Sequence, residues 1–109
     1  MAHIEINELR LLVTMNKVVW TEHVAIRLRE RGLKREDVIK CIVNGEIIEQ
    51  YPTDTPLPSC LVLGFCTVNK PLHVVVGLDR GVHCGMITAY RPSLEKWRND
   101  FKKRKGTLS

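Results

Sequence analysis

The sequence predicts an α+β domain: N-terminal helices packed on a four-stranded antiparallel sheet, then a short C-terminal helix. Three observations carry that prediction. Apolar residues recur at helical spacing as far as Asn44-Gly45. From Glu46 the pattern changes to the two-residue alternation of half-buried strands. Turn residues at Pro52, Pro56 and Pro58, at Asn69-Lys70 and at Arg80-Gly81 divide this extended half into four pieces joined as a meander.

The first helix lies within residues 4–16, where Ile6, Leu9, Leu12 and Val13 share one face. Val18-Val19-Trp20 is a short extended or loop segment. Thr21 is a good N-cap, and Glu22 suits the positive end of the helix that follows. That helix runs to about Arg31 and stops at Gly32, a residue fitted to the C′ position. A further helix covers residues 35–43, with Glu36 and Asp37 at its start, although Lys34 is a poor cap. Strands follow at 46–51, 60–67, 72–79 and 82–90, and the charges of the first suit a sheet edge. Ser93 then caps a terminal helix reaching Phe101, with Trp97 and Phe101 at i,i+4 on its apolar side. The 109 residues form one domain: an N-terminal helix (1–17), a core (20–101) and a mobile basic tail (102–109).

Hydrophobic residues are 44% and charged residues 27%, the balance of a soluble globular chain. No apolar run approaches the roughly 20 residues that span a bilayer, so no membrane partner is expected. The four cysteines, Cys41, Cys60, Cys66 and Cys84, form no CxxC pair, and with no signal-peptide pattern they read as reduced thiols of a cytoplasmic protein. His83 and Cys84 are adjacent but lack a second close ligand pair, so no metal is expected. No glycine-rich phosphate loop or nucleophile elbow is present, and no cofactor is expected. The net charge of +5 fits an anionic partner, nucleic acid being the commonest for a small basic domain, or equally a merely solvated surface. It is concentrated at residues 27–35, with five basic residues against Glu30, and at 96–105, with six against Asp100.

The candidate site comes from strand alternation. In L-H-V-V-V-G-L-D (72–79), Leu72, Val74, Val76 and Leu78 face one side while His73, Val75 and Gly77 face the other. If Arg80-Gly81 is a two-residue loop, His73 stands opposite Thr88 and diagonal to Tyr90. An imidazole, a hydroxyl and a phenol on one surface can move protons or hold a phosphate. Alternatively His73 is a structural, half-buried side chain bonded to Thr88, and one residue of slip or a bulge at Gly81 moves Thr88 off that face. His23, Arg27 and Arg31 form one helical stripe, either a phosphate clamp or a solvated face in which Glu30 pairs Arg27. Tyr90, Arg91 and Lys96 lie where the last strand leaves the sheet, placed to stack a base and hold a phosphate, or only to close the core edge. Glu46 and Glu49 are expected on opposite strand faces, so they make no paired-carboxylate site.

Several stretches, in order, carry a resemblance: T-E-H-V-A-I-R-L-R-E-R-G (21–32), E-D-V-I-K-C-I-V-N-G-E-I-I-E-Q-Y-P (36–52), P-S-C-L-V-L-G (58–64), P-L-H-V-V-V (71–76) and I-T-A-Y-R-P-S-L-E-K-W (87–97). Together they resemble the prokaryotic domain-of-unknown-function family forty-two fifty-eight, over roughly residues 19–104. The resemblance implies kinship with RelE and barnase-type ribonuclease toxins, and a helix-turn-helix antitoxin as the partner of many such family members. It implies two helices on a curved four-stranded antiparallel sheet with RNA on the open face. It sets the family's polar residues at His23, Arg27, His73, Thr88 and Tyr90, while Lys34 departs from the usual small capping residue.

The expected function is a metal-independent endoribonuclease, the toxin of a toxin–antitoxin pair, with RNA or ribosome-bound RNA as substrate. His73 would be general base or acid with His23 as its partner, Tyr90 would position a base or donate a proton, and Thr88 would orient His73. Arg27, Arg31, Arg91 and Lys96 would hold phosphate. His73→Ala is expected to abolish cleavage and leave the melting temperature nearly unchanged. The alternatives are a non-catalytic nucleic-acid-binding module and a protein-interaction domain.

Overall fold

Local signals place the helices. In the computed structural model, which describes residues 3–67 and 70–105, Thr21 Oγ1 accepts from Val24 N–H (3.1 Å) at the start of α2 (Glu22–Glu30). Gly32 adopts φ +68° just beyond that helix, a conformation that costs glycine little. Helix α1 spans Ile6–Thr14 and α3 spans Arg35–Asn44. Asp37 remedies the weak Lys34 cap by accepting from Lys34 N–H at 2.9 Å. Arg10 of α1 donates to Ile42 O (3.2 Å) and Gly45 O (2.8 Å), tying α1 to the end of α3. No helix of the described residues is long and apolar enough to cross a membrane.

The strands are β1 (Val18–Trp20), β2 (Glu46–Tyr51), β3 (Ser59–Thr67), β4 (Lys70–Asp79) and β5 (His83–Tyr90). They form one five-stranded sheet in the order β1-β5-β4-β3-β2. The expected four-stranded antiparallel sheet is therefore corrected to a mixed one. Val18-Val19-Trp20 pairs parallel with Cys84, Gly85 and Met86 of β5, a long-range pairing that no local pattern signals. The expected turn at Asn69-Lys70 lies partly outside the described residues, and Lys70 itself opens β4.

One face of the sheet carries the core. Cys60, Val62, Leu72, Val74, Val76, Leu78, Cys84, Met86 and Ala89 pack there against Leu9, Leu12, Val24, Leu28, Val38 and Ile42 from the helices. Helix α3 lies almost on the backbone of β3: a Cβ on Gly64 would sit 2.6 Å from Cys41 O, so only glycine fits.

The β4–β5 hairpin differs from expectation twice. Asp79 pairs with His83, which leaves residues 80–82 as a three-residue loop, with Gly81 at φ +79° and Val82 N–H donating to Asp79 O (2.8 Å). A bulge at Ile87 then shifts the register again. His73 therefore faces Tyr90, and Val75 faces Thr88. Each slip alone would reverse the faces; together they restore them.

The expected C-terminal helix does not form. Ser93 O accepts from Lys96 N–H (3.3 Å) and Trp97 N–H (3.1 Å), a single turn, and the chain then doubles back so that Trp97 bridges Arg104. Asp100 Oδ1 accepts from Lys102 N–H (2.9 Å), a local bond that competes with helix continuation. Nor is 102–105 a loose tail: Lys102 Nζ lies 2.9 Å from Glu46 Oε2, and Arg104 bonds both Glu49 oxygens at 3.1 Å. Residues 97–105 are a strap across the second face of the sheet.

Candidate functional site

His73 lies beneath that strap. Its relative exposure is 0%, and Trp97, itself 2% exposed, meets it edge-on at 4.5 Å between ring centroids. Phe101 O lies 2.8 Å from Nε2, and a carbonyl only accepts, so Nε2 carries the proton. Nδ1 then turns its lone pair to the Tyr90 hydroxyl at 3.3 Å. Burial pushes the imidazole pKa below its usual 6.5, although the Phe101 carbonyl and Glu49 pull the other way. The result is a neutral ring of defined tautomer, aimed at Tyr90. Burial likewise raises the Tyr90 phenol, which stays protonated and donating.

The second pair forms at the β5 edge. Arg31, just past the end of α2, turns Nη1 onto Thr88 Oγ1 (3.1 Å) and Ala89 O (2.8 Å). The helix face of His23, Arg27 and Arg31 is thus anchored to the sheet at its last member. His23 and Arg27 remain exposed, and among the described residues neither makes a hydrogen bond or ion pair. His23 forms no hydrogen bond with His73, and Glu30 does not pair with Arg27.

The third grouping lies where β5 ends. Tyr90, Arg91 and Lys96 line a cavity of about 450 Å³ together with Glu95, Trp97 and Arg104. Arg91 donates to Pro71 O (3.1 Å), which holds the chain exit against the start of β4. Tyr90 and Trp97 both line the cavity and touch His73, and of the two Tyr90 shares a hydrogen bond with it.

Glu46 and Glu49 are also corrected. A bulge between Ile47 and Glu49 puts both opposite the second-face residues Leu63 and Leu61, so the two carboxylates share a face after all. Burial pushes Glu49 up, but hydrogen bonds from Arg104 and from the Tyr51 hydroxyl outweigh it and hold the carboxyl below its usual range. Sequence reasoning missed Trp97, Phe101, Arg104 and Glu49. The one available signal was an aromatic pair interrupted by Asn99-Asp100, which reads as a turn. The thiols of Cys60 and Cys84, pushed by burial to about 12 and about 11, remain protonated core groups.

The family described as Domain of unknown function (DUF4258) matches residues 20–91. The chain belongs to that family. No characterised protein and no solved structure matches it. The family span includes Arg31, His73, Thr88, Tyr90 and Arg91, and it ends before the strap.

Proposed function

We propose that the protein is a metal-independent endoribonuclease, acting as the toxin of a toxin–antitoxin pair. The observation that carries this reading is the chain from Phe101 O through His73 to the Tyr90 hydroxyl, which opens on a cavity lined by Arg91, Lys96 and Arg104. RNA supplies its own nucleophile, the 2′-hydroxyl, so the protein needs only proton transfer and stabilisation of phosphate charge. Tyr90 takes the 2′-hydroxyl proton as it passes its own to His73 Nδ1. The 2′-oxygen attacks phosphorus, the bond to the 5′-oxygen breaks, and the leaving oxygen takes a proton from water, giving a cyclic phosphate and a 5′-hydroxyl end; His73 afterwards returns its proton through Tyr90 to the hydroxide so formed. His73 is then a positioning and proton-accepting residue behind Tyr90. Arg91 and Lys96 hold the phosphate, while Arg31, Arg27 and His23 guide flanking RNA along the β5 edge. The RelE and barnase-type kinship belongs to this proposal, as does a helix-turn-helix antitoxin partner.

The test is inducible expression of wild type, Tyr90→Phe and Arg31→Ala in cells, following growth and RNA ends. Growth arrest with new 5′-hydroxyl ends, lost in a Tyr90→Phe variant that is less stable but still folded at the growth temperature, is the expected result. Expression in cells also covers a requirement for the ribosome.

One observation favours a second reading: His73 is sealed, with both ring nitrogens engaged. A non-catalytic RNA-binding module would keep RNA affinity with no new ends, and its affinity would fall with Arg31→Ala but not with Tyr90→Phe.

A further inference from the structure

The strap presents its own charge problem. Lys102 and Arg104 are held by Glu46 and Glu49, and Lys103 meets the Asp100 carboxylate through its backbone N–H (3.4 Å) and its charge, while Arg98 and Lys105 have no carboxylate partner among the described residues. Arg98, Lys102, Lys103 and Arg104 surround a concavity of about 550 Å³ whose one acid is Glu49. The Lys102–Glu46 pair is solvent-exposed, with side-chain exposures of 45% and 56%, and the Arg104–Glu49 pair is partly exposed, at 49% and 24%. Such pairs exchange readily for another anion. Arg104 does two things at once: its guanidinium bonds Glu49 and lies 4.6 Å over the Trp97 ring. An anion that takes Arg104 away from Glu49 also removes the cation from Trp97, and Trp97 and Phe101 are what cover His73.

We infer that residues 97–105 are an RNA-operated latch: the phosphates of a single-stranded RNA replace Glu46 and Glu49 on Lys102 and Arg104, and the strap lifts from His73 and Tyr90. The inference rests on the RNA reading above and adds its regulation. The occupant is a polyphosphate chain because several cations lie along one short segment, more than one small anion can neutralise. A ligand shifts the latch only by binding the open form better. RNA does so because the carboxylates compete for Lys102 and Arg104 only when the strap is closed.

The measurement is Trp97 fluorescence in a Trp20→Phe chain titrated with a uridine homopolymer at low salt. Should that variant fail to fold, fluorine NMR of the native sequence labelled with fluorotryptophan reads the same event. A red shift and a several-fold rise in acrylamide quenching, reversed by added salt, are expected. Glu49→Gln and Arg104→Gln should each show part of that shift without RNA, and in Arg104→Gln added RNA should change the signal little further while most of the binding remains. If the homopolymer binds by anisotropy and Trp97 stays shielded, the latch is wrong and the RNA reading stands. If it does not bind at all, both fail.

Discussion

At the β5 edge, Arg31 reaches Thr88 from a helix whose other cations stand in water; on the neighbouring strand, His73 is closed off by Trp97 and the Phe101 carbonyl. The two regions share one sheet face and differ in what covers them. At the edge the polar groups are displayed, and a ligand meets them without moving protein. Under the strap they are packed, and any ligand must first displace an indole. Substitutions under the strap should therefore change stability first, and substitutions at the edge should change chiefly binding.

The largest expected effect is that of Trp97→Ala. Truncating a tryptophan buried to 2% exposure should destabilise by about 3–5 kcal/mol in urea unfolding. A loss below about 1 kcal/mol would mean that the strap does not pack as described, and the contrast between the regions would collapse.

Next comes His73. His73→Ala removes two hydrogen-bonding nitrogens from a sealed site and should cost about 2–3 kcal/mol, against the unchanged melting temperature expected from sequence. Its pH dependence sharpens the point. The groups facing it are Tyr90, Trp97 and the Phe101 carbonyl, with Glu49 and Arg104 acting through charge. The folded pKa lies below 6.5, so as pH falls the unfolded chain binds the proton first. Stability should be full above pH 6.5 and decline from there toward the folded pKa, and His73→Gln should flatten that slope. Glu49 acts in a separate window: its depressed pKa stabilises above 4.5, and that contribution is lost on further acidification. A slope between neutral pH and 5 that is unchanged in the variant would show that another group titrates there.

Arg31→Ala should have the smallest effect on folding, about 0.5–1 kcal/mol for its bonds to β5. Its effect on RNA should show as weaker binding and a salt slope reduced by about 0.7, the signature of one lost phosphate contact. A stability loss rivalling that of Trp97→Ala would erase the distinction.

What was legible follows the range of each signal. The helices and the four longer strands were readable because periodicity, Thr21 and Gly32 act within a few residues. Residues 18–20 were legible as an extended or loop segment, but their place in the sheet was not, because three residues pair with a partner more than sixty positions away. Ser93 and the Trp97–Phe101 spacing satisfied a helix locally, but Trp97 has a better burial on His73 than any helix face offers. The His73 face was placed correctly through an incorrect register. The loop was one residue longer than assumed and the strand one residue bulged, so the two departures cancelled. The corresponding bulge at Ile48 had no such counterpart, and the placement of Glu46 and Glu49 failed for that reason.

The Ile87 bulge also acts as a parity bit. At unchanged length, closing the hairpin on two loop residues, or pairing Ile87 regularly, would each alone turn Thr88 and Tyr90 inward and Ala89 outward. Both changes together would restore the pattern of faces but bring Thr88, rather than Tyr90, opposite the imidazole. Register changes in this hairpin thus preserve the faces only in pairs, and each pair decides whether His73 meets a phenol or an aliphatic hydroxyl.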